Sequence, residues 1–288
     1  MNITATRFTT QARTWLLIAG LGALLIVLGG QLFGGAGYLL FAAFSVVMTF
    51  VSYWFSDRFA IRSSGAQPVT EEQDPELYAM VRDLAMRADV PMPRVYVIPS
   101  EQPNAFATGR NPKHAAVAVT AGLRQYLPAD QVKGVLAHEF AHIKNRDILV
   151  SSIAAMIASA VSGIATMLQF GMLFGGGDDE DNPLGIVGSL AAIIIAPIAA
   201  MLLQLAVSRQ REYLADATGA QIMGDARPLA SALETLERGT HAIPKQVRPA
   251  TASMYIANPL AAFHGGLAGL FQTHPPMAER IRRLNALR

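Results

Sequence analysis

Apolar and polar residues separate along this chain into long blocks. Thr14 to Ser56, Ile148 to Gly177 and Asn182 to Ser208 contain no Asp, Glu, Lys or Arg. A helix crosses the hydrocarbon core of a bilayer with about 20 apolar residues. The first block is long enough for two such spans, near 15–33 and 38–55, with Gly34, Gly35, Ala36 and Gly37 turning the chain between them. Two further spans are predicted near 148–174 and 184–207. A cleaved signal peptide would account for the first span alone, but a second follows with no small-residue cleavage site between them.

The polar stretch between the second and third spans changes period several times. Asp74 and Pro75 read as an N-cap and first helical residue, after which Leu77, Val81, Leu84 and Ala88 repeat on one face. Arg94 to Ile98 is short and β-branched, which predicts a strand. Asn104 to Thr108 and Ala115 to Thr120 flank a loop of turn formers, Gly109 to Lys113, and predict a hairpin. Pro128 and Asp130 then open a helix. No Gly or Pro interrupts Val135 to Ser162, so this helix is expected to run on into the third span. Beyond the fourth span, Pro228 to Arg238 and a basic amphipathic Pro276 to Leu287 are helical in pattern.

Charge orients these blocks. Arg7, Arg13, Arg58, Arg62, Lys144, Arg146, Arg209 and Arg211 flank one side of the spans. The two opposite connections carry no basic residue, and one holds Asp178, Asp179, Glu180 and Asp181. Loops rich in Lys and Arg stay on the cytoplasmic side, so both termini and the polar segments are expected there. The composition agrees with membrane insertion, at 52% hydrophobic and 15% charged residues. With the basic residues placed beside spans and a net charge of only +2, nucleic-acid binding is not indicated. The chain has no cysteine, which excludes a disulfide framework, a thiolate metal site and a cysteine nucleophile.

His138, Glu139, Phe140, Ala141 and His142 spell HExxH. Residues four apart share a helix face, so both imidazoles can converge on one ion while Glu139 serves as the base that activates water. A catalytic zinc needs a third protein ligand, and no other histidine stands at the spacing of the longer metzincin pattern. Glu212 and Asp216, again four apart, offer a ligand and a hydrogen-bond acceptor for the free nitrogen of a ligand histidine.

HEFAHIKNRD at 138–147, SRQREYLADATGA at 208–220, NAFATGR at 104–110 and THPP at 273–276 together resemble the HtpX family of bacterial membrane zinc endopeptidases, relatives of the CAAX prenyl proteases. The resemblance covers nearly the whole chain. It implies an α+β zincin-like metallopeptidase domain joined to α-helical transmembrane segments, with one zinc per chain held by His138, His142 and Glu212 and with Glu139 as general base. The expected layout is a transmembrane hairpin over 1–57, the first part of the catalytic domain over 58–147, a second hairpin over 148–207 and the rest of the catalytic domain over 208–288. It further implies a multi-pass protein of the bacterial inner membrane, in contact with the lipid bilayer, that degrades damaged or misfolded membrane proteins on the cytoplasmic side.

His274 and Arg280 are spaced as in the prenyl proteases, where such a pair lies beside the metal, and are candidates for stabilising the oxyanion. Ala115 to Thr120, with Ala115, Val117 and Val119 on one face, is expected to be an edge strand that pairs with extended substrate. A CAAX-type processing protease would carry more spans than the four read here. A silent zinc-binding scaffold would have no need of Glu139.

Overall fold

The computed structural model describes residues 35–47, 50–51, 53–149, 209–240 and 275–287, with isolated positions 19, 23, 26 and 30. The spans predicted near 15–33, 148–174 and 184–207 lie almost wholly outside the described residues. Among the described residues no helix is long and apolar enough to cross a membrane. The region of the second predicted span is helical wherever it is described, and the helix continues to residue 63. Residues 35–37 belong to it, so the expected glycine turn does not form there. Glycine costs a helix only about 1 kcal/mol relative to alanine, so Gly35 and Gly37 are tolerated there.

A four-stranded sheet follows, made of β1 (Gln67–Pro68), β2 (Arg94–Ile98), β3 (Ala105–Thr108) and β4 (Ala116–Thr120) in the order β1-β2-β4-β3. β2 and β4 run parallel; the β1–β2 and β3–β4 pairs are antiparallel. The predicted hairpin is therefore present, but β4 lies inside the sheet, hydrogen-bonded on both sides. Its side chains are buried, with Val117 and Val119 wholly enclosed. Ala115, Val117 and Val119 therefore cannot form a substrate-pairing edge, and the outer strand of this hairpin is β3. Which hairpin strand turns inward depends on the nonlocal parallel pairing with β2, and local pattern does not reveal it.

Six helices complete the described fold: α1 (Pro75–Ala88), α2 (Ala121–Tyr126), α3 (Ala129–Asn145), α4 (Arg209–Met223), α5 (Arg227–Thr240) and α6 (Met277–Asn285). Asp74 caps α1 by accepting a hydrogen bond from the Leu77 N–H, and Leu77, Val81, Leu84 and Ala88 form its buried face as the pattern predicts. Side chains alternate across a strand. Val95, Ala105, Ala107, Val117 and Val119 accordingly meet the helices in the main core. Ile98, Phe106 and Ala118 face the other way, against Ala60 and Ile61 at the end of the apolar helix.

The helix carrying HExxH does not run on past the motif. α3 ends at Asn145, where Arg146 adopts a left-handed conformation with φ 61° and its N–H reaches back to the His142 and Ile143 carbonyls. The Asp147 N–H also bonds the His142 carbonyl, at 3.2 Å. This is a Schellman-type stop built without glycine, so composition gives no sign of it.

Candidate metal centre

The floor of the site is the contact between α3 and α4. Gly219 of α4 lies directly over the backbone of His138; a Cβ there would come within 3.0 Å of the His138 nitrogen. Gly134 plays the same part toward α5, where a Cβ would stand 2.7 Å from the Leu229 nitrogen. These two positions let the helices approach closely enough for Glu212 to reach the histidine pair.

His138 Nε2 and His142 Nε2 are 3.2 Å apart. Glu212 Oε2 lies 3.7 Å from His138 Nε2, and its other oxygen, Oε1, lies 3.7 Å from His142 Nε2. Ligands bound tetrahedrally to zinc at about 2.0–2.2 Å stand about 3.3–3.6 Å from one another. The three groups therefore sit close to the corners of one face of such a tetrahedron, and together they could hold a metal ion.

The far nitrogen of each imidazole is engaged. His138 Nδ1 lies 2.9 Å from Asp216 Oδ1, and His142 Nδ1 lies 3.0 Å from Asp147 Oδ1. With both Nδ1–H groups donating to carboxylates, the Nε2 lone pairs face each other, and a shared cation is needed between them. Among the described residues, four buried carboxylates, Glu139, Asp147, Glu212 and Asp216, surround the pair, against the single buried guanidinium of Arg280. Both observations suit a divalent cation.

Titration behaviour follows from this crowding. Burial alone would lower His142, but the Asp147 carboxylate, backed by Glu212 and Glu139, pushes it up to about 10. Burial holds His138 below the ordinary histidine value, helped by the nearby Arg280 charge and opposed by Asp216. Without a metal, the proton that His142 retains is the cation shared between the rings. Glu139 is pushed up to about 7 by burial, against the pull of His142 and of the Ala107 N–H. Burial works against the charged form of Asp216 too, but Arg280 overrides it and holds this carboxyl well below its usual range.

Arg280 is fully buried and grips Asp216 with two bonds, Nε to Oδ2 at 2.9 Å and Nη2 to Oδ1 at 2.7 Å. Its Nη2 lies 3.4 Å from His138 Nδ1, on the side of the ring opposite Nε2. That position corrects the oxyanion expectation for Arg280: the guanidinium is committed to Asp216 behind the histidine. His274 lies outside the described residues. Asp216 stands where the spacing predicted, behind a histidine of the motif.

Two contacts escaped the sequence reading. Asp147 follows His142 by five residues, a spacing that does not share a helix face, and only the left-handed Arg146 brings its carboxylate back. The Ala107 N–H of β3 donates to Glu139 Oε2 at 2.8 Å, a backbone contact with no side-chain signal.

An α+β scaffold with an HExxH helix, a carboxylate supplied by the next described helix and an outer strand beside the base defines a zincin-like metallopeptidase. The chain belongs to peptidase family M48, whose model matches residues 71–288, and it is a metalloendopeptidase. Proteins named Protease HtpX homolog are similar over almost its full length. That of Pelotomaculum thermopropionicum is 50% identical over 277 residues, 96% of this chain and 98% of the relative. That of Syntrophobacter fumaroxidans is 51% identical over 282 residues, 96% and 99% of the two chains. Among solved structures, S. mikatae Ste24p shares the fold, with a TM-score of 0.51 at 19% identity over 98% of this chain and 67% of that one.

Proposed function

We propose that this chain is a zinc-dependent endopeptidase of the bacterial inner membrane that cleaves damaged or misfolded membrane proteins from the cytoplasmic side. The observation that carries the reading is the near-tetrahedral set of His138, His142 and Glu212 next to a buried Glu139. Two imidazoles and a carboxylate suit zinc among divalent ions. The inner-membrane setting and cytoplasmic orientation rest on the four spans predicted from the apolar blocks and the basic residues beside them. The division into two hairpins and a catalytic domain assembled from 58–147 and 208–288 belongs to the same proposal.

A zinc ion held by these three residues supplies Lewis acidity toward water and toward the scissile carbonyl. Glu139 accepts a proton at a carboxylate oxygen from the attacking water and returns it to the leaving amine. Asp216 and Asp147 fix the two ring orientations and keep both Nε2 atoms aimed at the ligand position. β3, the outer strand among the described residues, takes over the role expected of Ala115 to Thr120: the substrate lies alongside it as one more strand, which gives backbone recognition with loose sequence preference.

The test uses full-length protein reconstituted in vesicles and a membrane-protein reporter carrying an unfolded cytoplasmic segment. Chelation should abolish cleavage and zinc should restore it, with cuts confined to the cytoplasmic segment. Cleavage on the opposite face, or cleavage indifferent to chelation, would refute the reading.

A further inference from the structure

We propose that the β3–β4 turn and the end of the apolar helix form a docking site for the headgroup of an anionic phospholipid, and that headgroup binding there steadies the substrate-pairing edge. The proposal rests on the membrane-embedded reading above.

The helix before the sheet exposes large apolar side chains along its length, among them Leu39, Phe44, Val47 and Phe50. At its polar end Trp54 and Phe55 are exposed too, both more than 40% accessible, just before Asp57 and Arg58, the first charged residues after the apolar block. A tryptophan where an apolar block meets charge marks the level where hydrocarbon gives way to headgroups. At this level two cations sit on aromatic faces. The Arg58 guanidinium lies 5.4 Å from the Phe55 ring centre, and that of Arg110 lies 4.6 Å from the Trp54 ring centre. Trp54 and Arg58 are four apart and therefore neighbours on one helix face, which brings both guanidiniums to one turn of the helix.

Arg110 comes from the β3–β4 turn, far from Trp54 in sequence. A second tie joins the sheet to the same helix one turn away, where Arg94 Nη2 meets Asp57 Oδ2 at 2.6 Å. The two ties differ in kind. Arg94 has a carboxylate, as do Arg82, Arg87, Arg124, Arg227 and Arg280. Arg58 and Arg110, and Lys113 in the same turn, have no carboxylate partner among the described residues. A guanidinium over a ring keeps its in-plane N–H donors available, and two of them at one turn of the helix suit the oxygens of a phosphate. A bilayer supplies that phosphate at this depth, and an anionic lipid adds the net charge that two unpaired cations favour.

The turn connects directly to the chemistry. Arg110 is three residues from Ala107, whose N–H holds Glu139. Gly109 between them has φ 141° and packs so tightly that a Cβ would stand 2.5 Å from the His114 carbonyl oxygen. A headgroup that fixes Arg110 therefore restrains the end of β3.

Trp54 is a usable reporter, since the chain has only two tryptophans and Trp15→Phe leaves it alone. Full-length protein in mixed micelles would be titrated with brominated phosphatidylglycerol or brominated phosphatidylcholine. Severalfold stronger quenching by the anionic lipid is expected, with the preference lost in Arg58→Gln/Arg110→Gln and partly kept in Arg110→Lys. Equal quenching by both lipids, or an undiminished preference in the double variant, would overturn the site. Suppression of the preference by inorganic phosphate at matched ionic strength would point to a soluble anion and overturn the lipid assignment. In a second arm, casein turnover in nanodiscs should rise severalfold with phosphatidylglycerol for wild type and stay at the phosphatidylcholine level for the double variant. A rise of equal size in both would overturn the coupling to β3. Selective quenching with no zinc-dependent turnover in any lipid would leave the binding site standing and remove the protease reading instead.

Discussion

The two histidines of the motif are supported in opposite ways. Behind His138 stands Asp216 from α4, itself clamped by Arg280 from α6, so three helices distant in sequence must assemble before the ring is fixed. Behind His142 stands Asp147, delivered by the chain's own reversal five residues on. One support is a product of tertiary folding and is itself a buried ion pair. The other is local, and one of its carboxylate oxygens, Oδ2, is buried without a hydrogen-bond partner among the described residues. The first should therefore govern stability and the second mainly metal affinity.

The largest effect expected is that of Arg280→Ala, which leaves Asp216 charged and buried. Breaking a buried pair from one side costs about 3–5 kcal/mol, to be read from denaturant unfolding of metal-free protein. Arg280→Lys should recover only part of this, since an ammonium cannot reproduce the two-point grip. An Arg280→Ala protein as stable as wild type would show that the pair contributes little.

Asp147→Ala should separate the two supports. Loss of such an outer partner weakens metal binding about 10–100-fold, while unfolding of the metal-free protein should shift far less than in Arg280→Ala. Zinc competition against a chromophoric chelator gives the first quantity. If stability fell as far as in Arg280→Ala, the local support would prove to be a folding element as well.

Gly219→Ala probes the α3–α4 contact that brings Glu212 and Asp216 to the histidines. Pushing a methyl against the His138 backbone forces α3 and α4 apart, at a cost of about 1–3 kcal/mol as for other overpacked sites. Metal affinity should fall with stability in this variant, in contrast to the separation expected for Asp147→Ala.

Taken per pH unit, the smallest effect is the dependence on pH, and its sign distinguishes metal-free from loaded protein. Without metal, His142 is raised from 6.5 to about 10. Its stabilising contribution is then fully present below 6.5 and fades as pH climbs toward 10. Zinc must displace that proton, so affinity should rise with pH by up to about tenfold per unit over the same window. Metal-free stability and zinc affinity should thus move in opposite directions, checked by thermal unfolding and chelator competition across the range. A zinc affinity that did not change with pH would mean that His142 carries no competing proton.

The order of the two supports also explains what could be read in advance. His138, Glu139, His142, Glu212 and Asp216 follow helical spacing, and α1 and β2 follow clean periods and caps, so local pattern was enough to place them. β4 looked like an edge because strand order depends on pairing with β2, a contact between segments some twenty residues apart. The end of α3 was hidden because Arg146 occupies a conformation usually signalled by glycine, and Asp147 stayed hidden with it. Arg280 looked like an oxyanion charge in a basic amphipathic helix. Its burial arises only when α6 packs against α4, and helical periodicity does not carry that information.

The central claim, that His138, His142 and Glu212 hold a metal on which Glu139 acts as base, is tested most directly by counting bound zinc and measuring reporter cleavage in parallel. Glu139→Ala should retain one zinc per chain and lose about 10²–10⁴-fold in turnover, the range for a general base. His138→Ala, His142→Ala and Glu212→Ala should each lose the zinc itself. Full zinc occupancy in Glu212→Ala, or undiminished cleavage by Glu139→Ala, would contradict the assignment.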